Sequence, residues 1–215
     1  MKKIMFNSKY GLDKAVLEGR KTMTRRIIPE KLIVEYYDYD DYCNSIGLDG
    51  IDMSVTRKFE KEFFLEHSPY KVGEIIAIAQ SYRSIESYLP LYMREEYDGY
   101  SECLDISFKT SAGWDNKMFV KARLMPWAIK ITNVKVERLQ DITSEDCLKE
   151  GVEEHLKGVQ YGFSSNIGYV GQYPFSTPRE AFAALIDRVS GKGTWESNPW
   201  VWVYEFELTD NPNKS

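Results

Sequence analysis

Trp200-Val201-Trp202-Val203-Tyr204-Glu205-Phe206-Glu207-Leu208 decides the fold. Aromatic and β-branched residues dominate it and no glycine or proline interrupts it, a composition that suits a pleated strand better than the crowded surface of a helix. Just upstream, Pro178 to Val189 places Ala181, Phe182, Leu185, Ile186 and Val189 on one face of an amphipathic helix. Further back, Trp127 to Leu139 interleaves Ala128, Ile129, Ile131, Val134 and Val136 with Lys130, Thr132, Lys135 and Glu137, the pattern of a half-buried antiparallel strand. Between them, Thr143 or Ser144 with acids just downstream, and then Gly151, bound a short helix.

The N-terminal third adds three more elements. Ile75 to Tyr82 is an apolar run of strand length. Asn7 to Tyr10 offers capping side chains before a helix over Gly11 to Glu18, with Gly19 as its stop. Thr22 to Ile28 is β-branched and ends at Pro29, which predicts an extended segment running into a turn. Strands separated by short helices without a regular βαβ alternation predict an α+β fold on an antiparallel sheet or small barrel.

Two stretches interrupt this plan. Around 30–70 lie the acidic, aromatic run Tyr36 to Tyr42 and a short charged helix over Phe59 to Glu66; both are expected in an insertion forming an exposed loop or lid. Around 83–120 the chain is again polar and tyrosine-rich, with Ile106 to Lys109 as a candidate strand. We therefore read 1–209 as one domain with two insertions, and 210–215 as a polar tail.

Composition narrows the function. The chain has 215 residues, 43% hydrophobic and 28% charged, enough to bury a substantial core. No apolar run approaches the roughly 18 residues of a membrane span. Met1 to Asn7 turns polar too early for a secretory signal, which predicts a cytoplasmic chain. Cys43, Cys103 and Cys147 are too few and too dispersed for a disulfide framework or zinc ligands, and His67 and His155 stand in no catalytic or metal-binding pattern. No metal and no cofactor is predicted. A net charge of −5 disfavours a sequence-independent duplex binder, so any nucleic-acid contact must be local.

Gly19-Arg20-Lys21-Thr22-Met23-Thr24-Arg25-Arg26 is where such a contact would lie, because it carries four basic residues and no acid in an acidic chain. Cations crowded around Lys21 disfavour its charged form, and a neutral amine beside Thr22 or Thr24 could activate a hydroxyl nucleophile. The same residues also suit a solvated patch facing phosphates. Tyr82, Trp114, Trp127 and Trp195 are candidates for stacking on a base, although core or rim packing is the more ordinary role for each taken singly.

Four segments together resemble the ASCH domain family: Leu17 to Arg26, Lys71 to Ile76, Thr143 to Gly151 and Trp200 to Phe206. The resemblance skips 30–68, 83–120 and 155–175, and the ending Asn198-Pro199-Trp200-Val201-Trp202 is similar to that of phage and prophage members. It implies an α+β, PUA-like small mixed or antiparallel β-barrel with flanking helices, and a cleft for RNA or a modified nucleoside. One branch comprises bacterial N4-acetylcytidine amidohydrolases, whose catalytic Lys, Thr and Glu fall on Lys21, Thr24 and Glu150 here. On that resemblance Lys21 deprotonates Thr24, Thr24 attacks the acyl carbonyl, and Glu150 orients the base or shuttles a proton. Arg20, Thr22, Arg25, Arg26, Tyr82 and Trp127 are the expected binding residues. Two other readings stay open: a non-catalytic RNA-binding module, and a ribonuclease with Lys21 as its base.

Overall fold

The computed structural model describes residues 1–43, 53–89, 109–155, 157–163 and 174–212. Cys103, most of the candidate strand at 106–109 and the end of the polar tail lie outside them. The described elements, in chain order, are β1 (Lys3–Ile4), α1 (Leu12–Leu17), β2 (Met23–Ile27), α2 (Glu30–Cys43), α3 (Met53–Glu66), β3 (Ile75–Ile78), β4 (Trp127–Arg138), α4 (Ser144–Lys149), β5 (Glu153–His155), β6 (Gln160–Gly162), α5 (Pro178–Ser190), α6 (Thr194–Ser197) and β7 (Trp200–Asp210). No helix among them is long and apolar enough to cross a membrane.

β7 is the spine. It pairs antiparallel with β4 on one side and with β2 on the other, and the five-stranded sheet runs β1-β3-β4-β7-β2. β3 lies antiparallel to β4, and β1 parallel to β3, so the sheet is mixed. Period-two alternation sorts the spine's side chains. Trp200, Trp202, Tyr204 and Phe206 enter one core with Ile76, Ile78, Ile129, Ile131 and residues of α1, while Val201 and Val203 enter a second core with Cys147, Ala181, Phe182 and Ile186. A third cluster packs Ala77 and Ala79 against Tyr82, Ile85, Leu89 and Met125.

β4 keeps its apolar residues on one side only through a slip of phase. Ile129 and Ile131 occupy odd positions and Val134 and Val136 even ones, and the register shifts between Ile131 and Asn133. One extra residue at such a bulge restores the facing of both halves, so all four pack with the first core.

The first insertion departs from the expected exposed loop. α2 and α3 lie against the sheet through Tyr36, which is 4% exposed, and Phe64, which is 0% exposed. The tryptophans of β7 reach the same layer: Trp200 Nε1 donates to Glu60 Oε1 at 2.8 Å, and Trp202 Nε1 donates to the Phe64 carbonyl at 2.6 Å. Leu32, Ile33 and Tyr36 share helical spacing, but the surrounding acids and tyrosines masked it.

Among the described strands the sheet is also open, where a closed barrel was expected. β1 and β2 are its two edges. Between them the backbone pairing is replaced by side chains: Arg26 Nη2, from β2, donates to the carbonyl of Met5, just beyond β1, at 2.7 Å. A cavity of about 650 Å³ fills that gap, with Met5 and Phe6 on one border and Lys21 and Thr24 to Ile27 on the other.

Candidate functional site

The basic run arrives at the cavity through a tight local fold. α1 ends at Leu17, Gly19 takes a left-handed φ of 73°, and the amides of Arg20 and Lys21 both donate to the Ala15 carbonyl at 2.9 Å. The Thr22 amide then donates to the Lys149 carbonyl at 3.0 Å, which ties β2 to the end of α4. Glu150 caps that helix, and Gly151 follows at φ 101°. A Cβ on Gly151 would meet Leu12 Cδ2 at 3.2 Å and Lys21 Cδ at 3.5 Å, so a glycine here both permits the turn and leaves room for the lysine stem.

Lys21 and Glu150 are 2% and 4% exposed. Lys21 Nζ donates to Glu150 Oε2 at 2.6 Å, to the Glu150 carbonyl at 2.7 Å and to the Met23 carbonyl at 2.7 Å. Three acceptors match the three hydrogens of an ammonium. Burial pulls the Lys21 pKa below the ordinary lysine value of 10.5, Arg26 and Arg25 push the same way, and Glu150 opposes them. Thr24 is 5% exposed and lines the cavity with Lys21 and Glu150. Its hydroxyl is not among the hydrogen-bond partners of Lys21, so the expected direct proton transfer needs one of the lysine's present contacts to open.

Arg25 does not behave as a surface phosphate contact. Its guanidinium donates to Glu137 Oε1 at 2.6 and 3.1 Å, to Glu150 Oε1 at 3.1 Å and to Asp146 Oδ2 at 3.2 Å. Burial works against its charge, but Glu150 and Glu137 outweigh that and hold its pKa above the ordinary arginine value. Lys135 closes the outer side of the cluster, 3.0 Å from Glu137 Oε2 and 3.6 Å from Asp146 Oδ2.

The remaining expected binding residues divide by position. Arg26 lines the cavity, with its guanidinium carbon 5.8 Å from the Phe6 ring centre. Arg20 is outside the lining: it pairs with Glu18 at 2.7 Å and Glu153 at 3.2 Å. Thr22 is half-buried and also outside. Tyr82 is 3% exposed in the third core, and its hydroxyl accepts the Lys121 amide at 2.8 Å. Trp127 packs edge-on against Tyr88, with ring centres 4.7 Å apart, and Trp195 packs against Phe182 at 6.2 Å. None of these three rings, nor Trp114, lines the cavity; each packs in or against a hydrophobic core.

Other site residues were not singled out in the sequence. Glu137 and Asp146 fix Arg25, Phe6 and Lys117 line the cavity, and the α5 residues Phe182, Leu185 and Ile186 form an apolar wall. Glu137 carried a signal, since it is an acid within a strand that enters the core on both sides of it. Lys117 carried none, because only tertiary folding brings its segment to the cavity.

Cys147 lies behind the site in the second core, and burial pushes its thiol up to about 12. Thiolate is the reactive form. Native protein at pH 8 should therefore leave Cys147 unalkylated by iodoacetamide, and denaturant should release it; peptide mapping by mass spectrometry that finds rapid native labelling would contradict this packing.

Comparison of the chain with protein-family models, with curated proteins and with solved structures found no match.

Proposed function

We propose that the chain is an ASCH-type, PUA-like protein whose cavity holds a nucleoside, and that it removes an acyl group from an N4-acetylcytidine-like substrate. The observation that carries this reading is the convergence of Lys21, Thr24 and Glu150 on one cavity, with Lys21 Nζ 2.6 Å from Glu150 Oε2. A volume of about 650 Å³ falls within the range of small-molecule sites. The open border between β1 and β2 would then be the mouth of an incompletely closed barrel.

In the proposed reaction Lys21 first loses a proton to solvent, leaving two hydrogens for three acceptors, so one contact opens and the lone pair of the amine becomes available to Thr24. The Thr24 oxygen bonds to the acyl carbon as its proton passes to Lys21. The bond from that carbon to N4 then breaks, and N4 takes the proton from Lys21 as the amine leaves. Water hydrolyses the acyl-threonine, releasing the carboxylic acid and restoring Thr24. Glu150 and Arg25 keep Lys21 in place throughout.

The test is release of cytidine from N4-acetylcytidine, followed by chromatography. Thr24→Ala and Lys21→Ala should each lower kcat/KM by about 10²–10⁴-fold, with Thr24→Val as a near-isosteric check on folding. The neutral lysine is the active form, so kcat/KM should rise with pH and level off below the ordinary lysine value of 10.5. Absent turnover by the wild type, or full activity in the variants, overturns the assignment. A second reading, non-catalytic binding, is favoured by the three satisfied hydrogen bonds of Lys21; it predicts that the wild type binds the nucleoside without consuming it.

A further inference from the structure

The cavity contains a second group of cations that the proposed chemistry does not use. Lys117 Nζ donates to the Phe6 carbonyl and to Ser8 Oγ, the latter at 2.8 Å. Arg26 Nη2 donates to the Met5 carbonyl at 2.7 Å. Met5 and Phe6 are consecutive, about 3.8 Å apart at Cα, so an ammonium and a guanidinium from distant parts of the chain are fastened to adjoining peptides. Lys9, exposed on the same lining, holds its Nζ 5.5 Å from the Tyr10 ring centre.

Among the described residues these cations have no directly paired carboxylate, although Glu150 favours the charge of Arg26 from beyond ion-pair distance. Lys21 and Arg25 are matched by Glu150, Glu137 and Asp146, but among the described residues Arg26, Lys117 and Lys9 form no ion pair. Asp13 is the nearest compensation for Lys117; it acts at one remove, accepting from Ser8 Oγ, and it is not part of the lining. Of the described charged residues that line the cavity, five are basic and Glu150 alone is acidic. Burial disfavours the charged forms of both Lys117 and Arg26. Partly desolvated cations with no carboxylate partner are stabilised by a ligand that brings negative charge. A guanidinium fork beside ammonium groups suits the several oxygens of a phosphate, and the apolar wall of α5 suits a ring.

We propose that Lys117, Arg26 and Lys9 form a phosphate subsite, and that the cavity prefers a phosphorylated nucleoside to the free nucleoside. The ring half of this statement rests on the nucleoside reading above; the anion half rests only on the cations.

The experiment has two arms. In the first, cytidine and cytidine 5′-monophosphate are titrated into the full chain by calorimetry. The monophosphate should bind about tenfold tighter or more, with the difference shrinking as salt is raised. That preference should be lost in Lys117→Met, return in Lys117→Arg, and fall several-fold in Lys9→Gln, an exposed position that does not threaten folding. In the second arm, inorganic phosphate at constant ionic strength should raise the Tm of the wild type and of Thr24→Ala, but not of Lys117→Met. Equal binding of the two nucleosides, or a preference that survives Lys117→Met, overturns the proposal. A Lys117-dependent phosphate effect without binding of either nucleoside keeps the anion site and removes the nucleoside reading. Absence of both overturns the site as well.

Discussion

Arg25→Met should destabilise the protein by about 3–5 kcal/mol, because it leaves buried carboxylates without the cation that joins them. The Arg25 side chain is 1% exposed and contacts Glu137, Asp146 and Glu150 at once. Lys135 and Lys21 would each still compensate one edge of the cluster, so the chain should fold but unfold early. For a chain of this size each kcal/mol shifts Tm by roughly 2–4 °C, which places the expected drop at about 6–20 °C in a thermal melt. Arg25→Lys should fall between the two, since an ammonium keeps the charge but not the fork that spans three carboxylates. A solvated arginine reserved for RNA would behave oppositely, changing stability by no more than about 0.5 kcal/mol and weakening binding instead. The melt thus decides between the two roles.

Phe64→Ala should cost about 3–5 kcal/mol through lost burial and the cavity left behind. Phe64 is fully buried against Tyr36, Phe63 and Trp200, at ring-centre distances of 5.7, 5.8 and 6.0 Å. The hydrogen bond from Trp202 Nε1 ends on its carbonyl, so a shift of α3 would also leave a buried indole unsatisfied. Urea denaturation is the direct measurement. A cost under 1 kcal/mol would mean that the α2–α3 pair is a detachable cover and not part of the core.

The sheet was more legible in the sequence than the layer covering it. β4 and β7 are long, alternate apart from the one phase slip in β4 and were expected over nearly their observed spans; the helices at Gly11 and Thr143 announced themselves by capping side chains and glycine stops, and that at Pro178 by its apolar face. The bulge in β4 was also written there, as the change from Ile129 and Ile131 to Val134 and Val136. β1 is only two residues long and exists because β3 offers an edge, which no local pattern records. α2 was obscured because the acids that solvate its outer face dominate the run that also contains Tyr36. At the site, the sequence brought forward Lys21, Thr24 and Glu150, and the fold places them on one cavity. It did not separate Arg25 from Arg26: neighbours on a strand point to opposite faces, and although both border the cavity, one meets three carboxylates while the other donates to a backbone carbonyl.

Lys21 also bears on the outer edge of β2. The Phe206 amide donates to the Thr22 carbonyl and the Ile28 amide to the Trp200 carbonyl, so even-numbered residues of β2 bond inward to β7, and Met23, Arg25 and Ile27 turn their peptide groups to the outside. An outer strand with open peptide groups is a template for a guest strand. Here the first such acceptor, the Met23 carbonyl, is occupied by a buried ammonium, and a guest would have to evict it and separate it from Glu150. One lysine therefore occupies the first outward acceptor of β2 as well as lining the cavity.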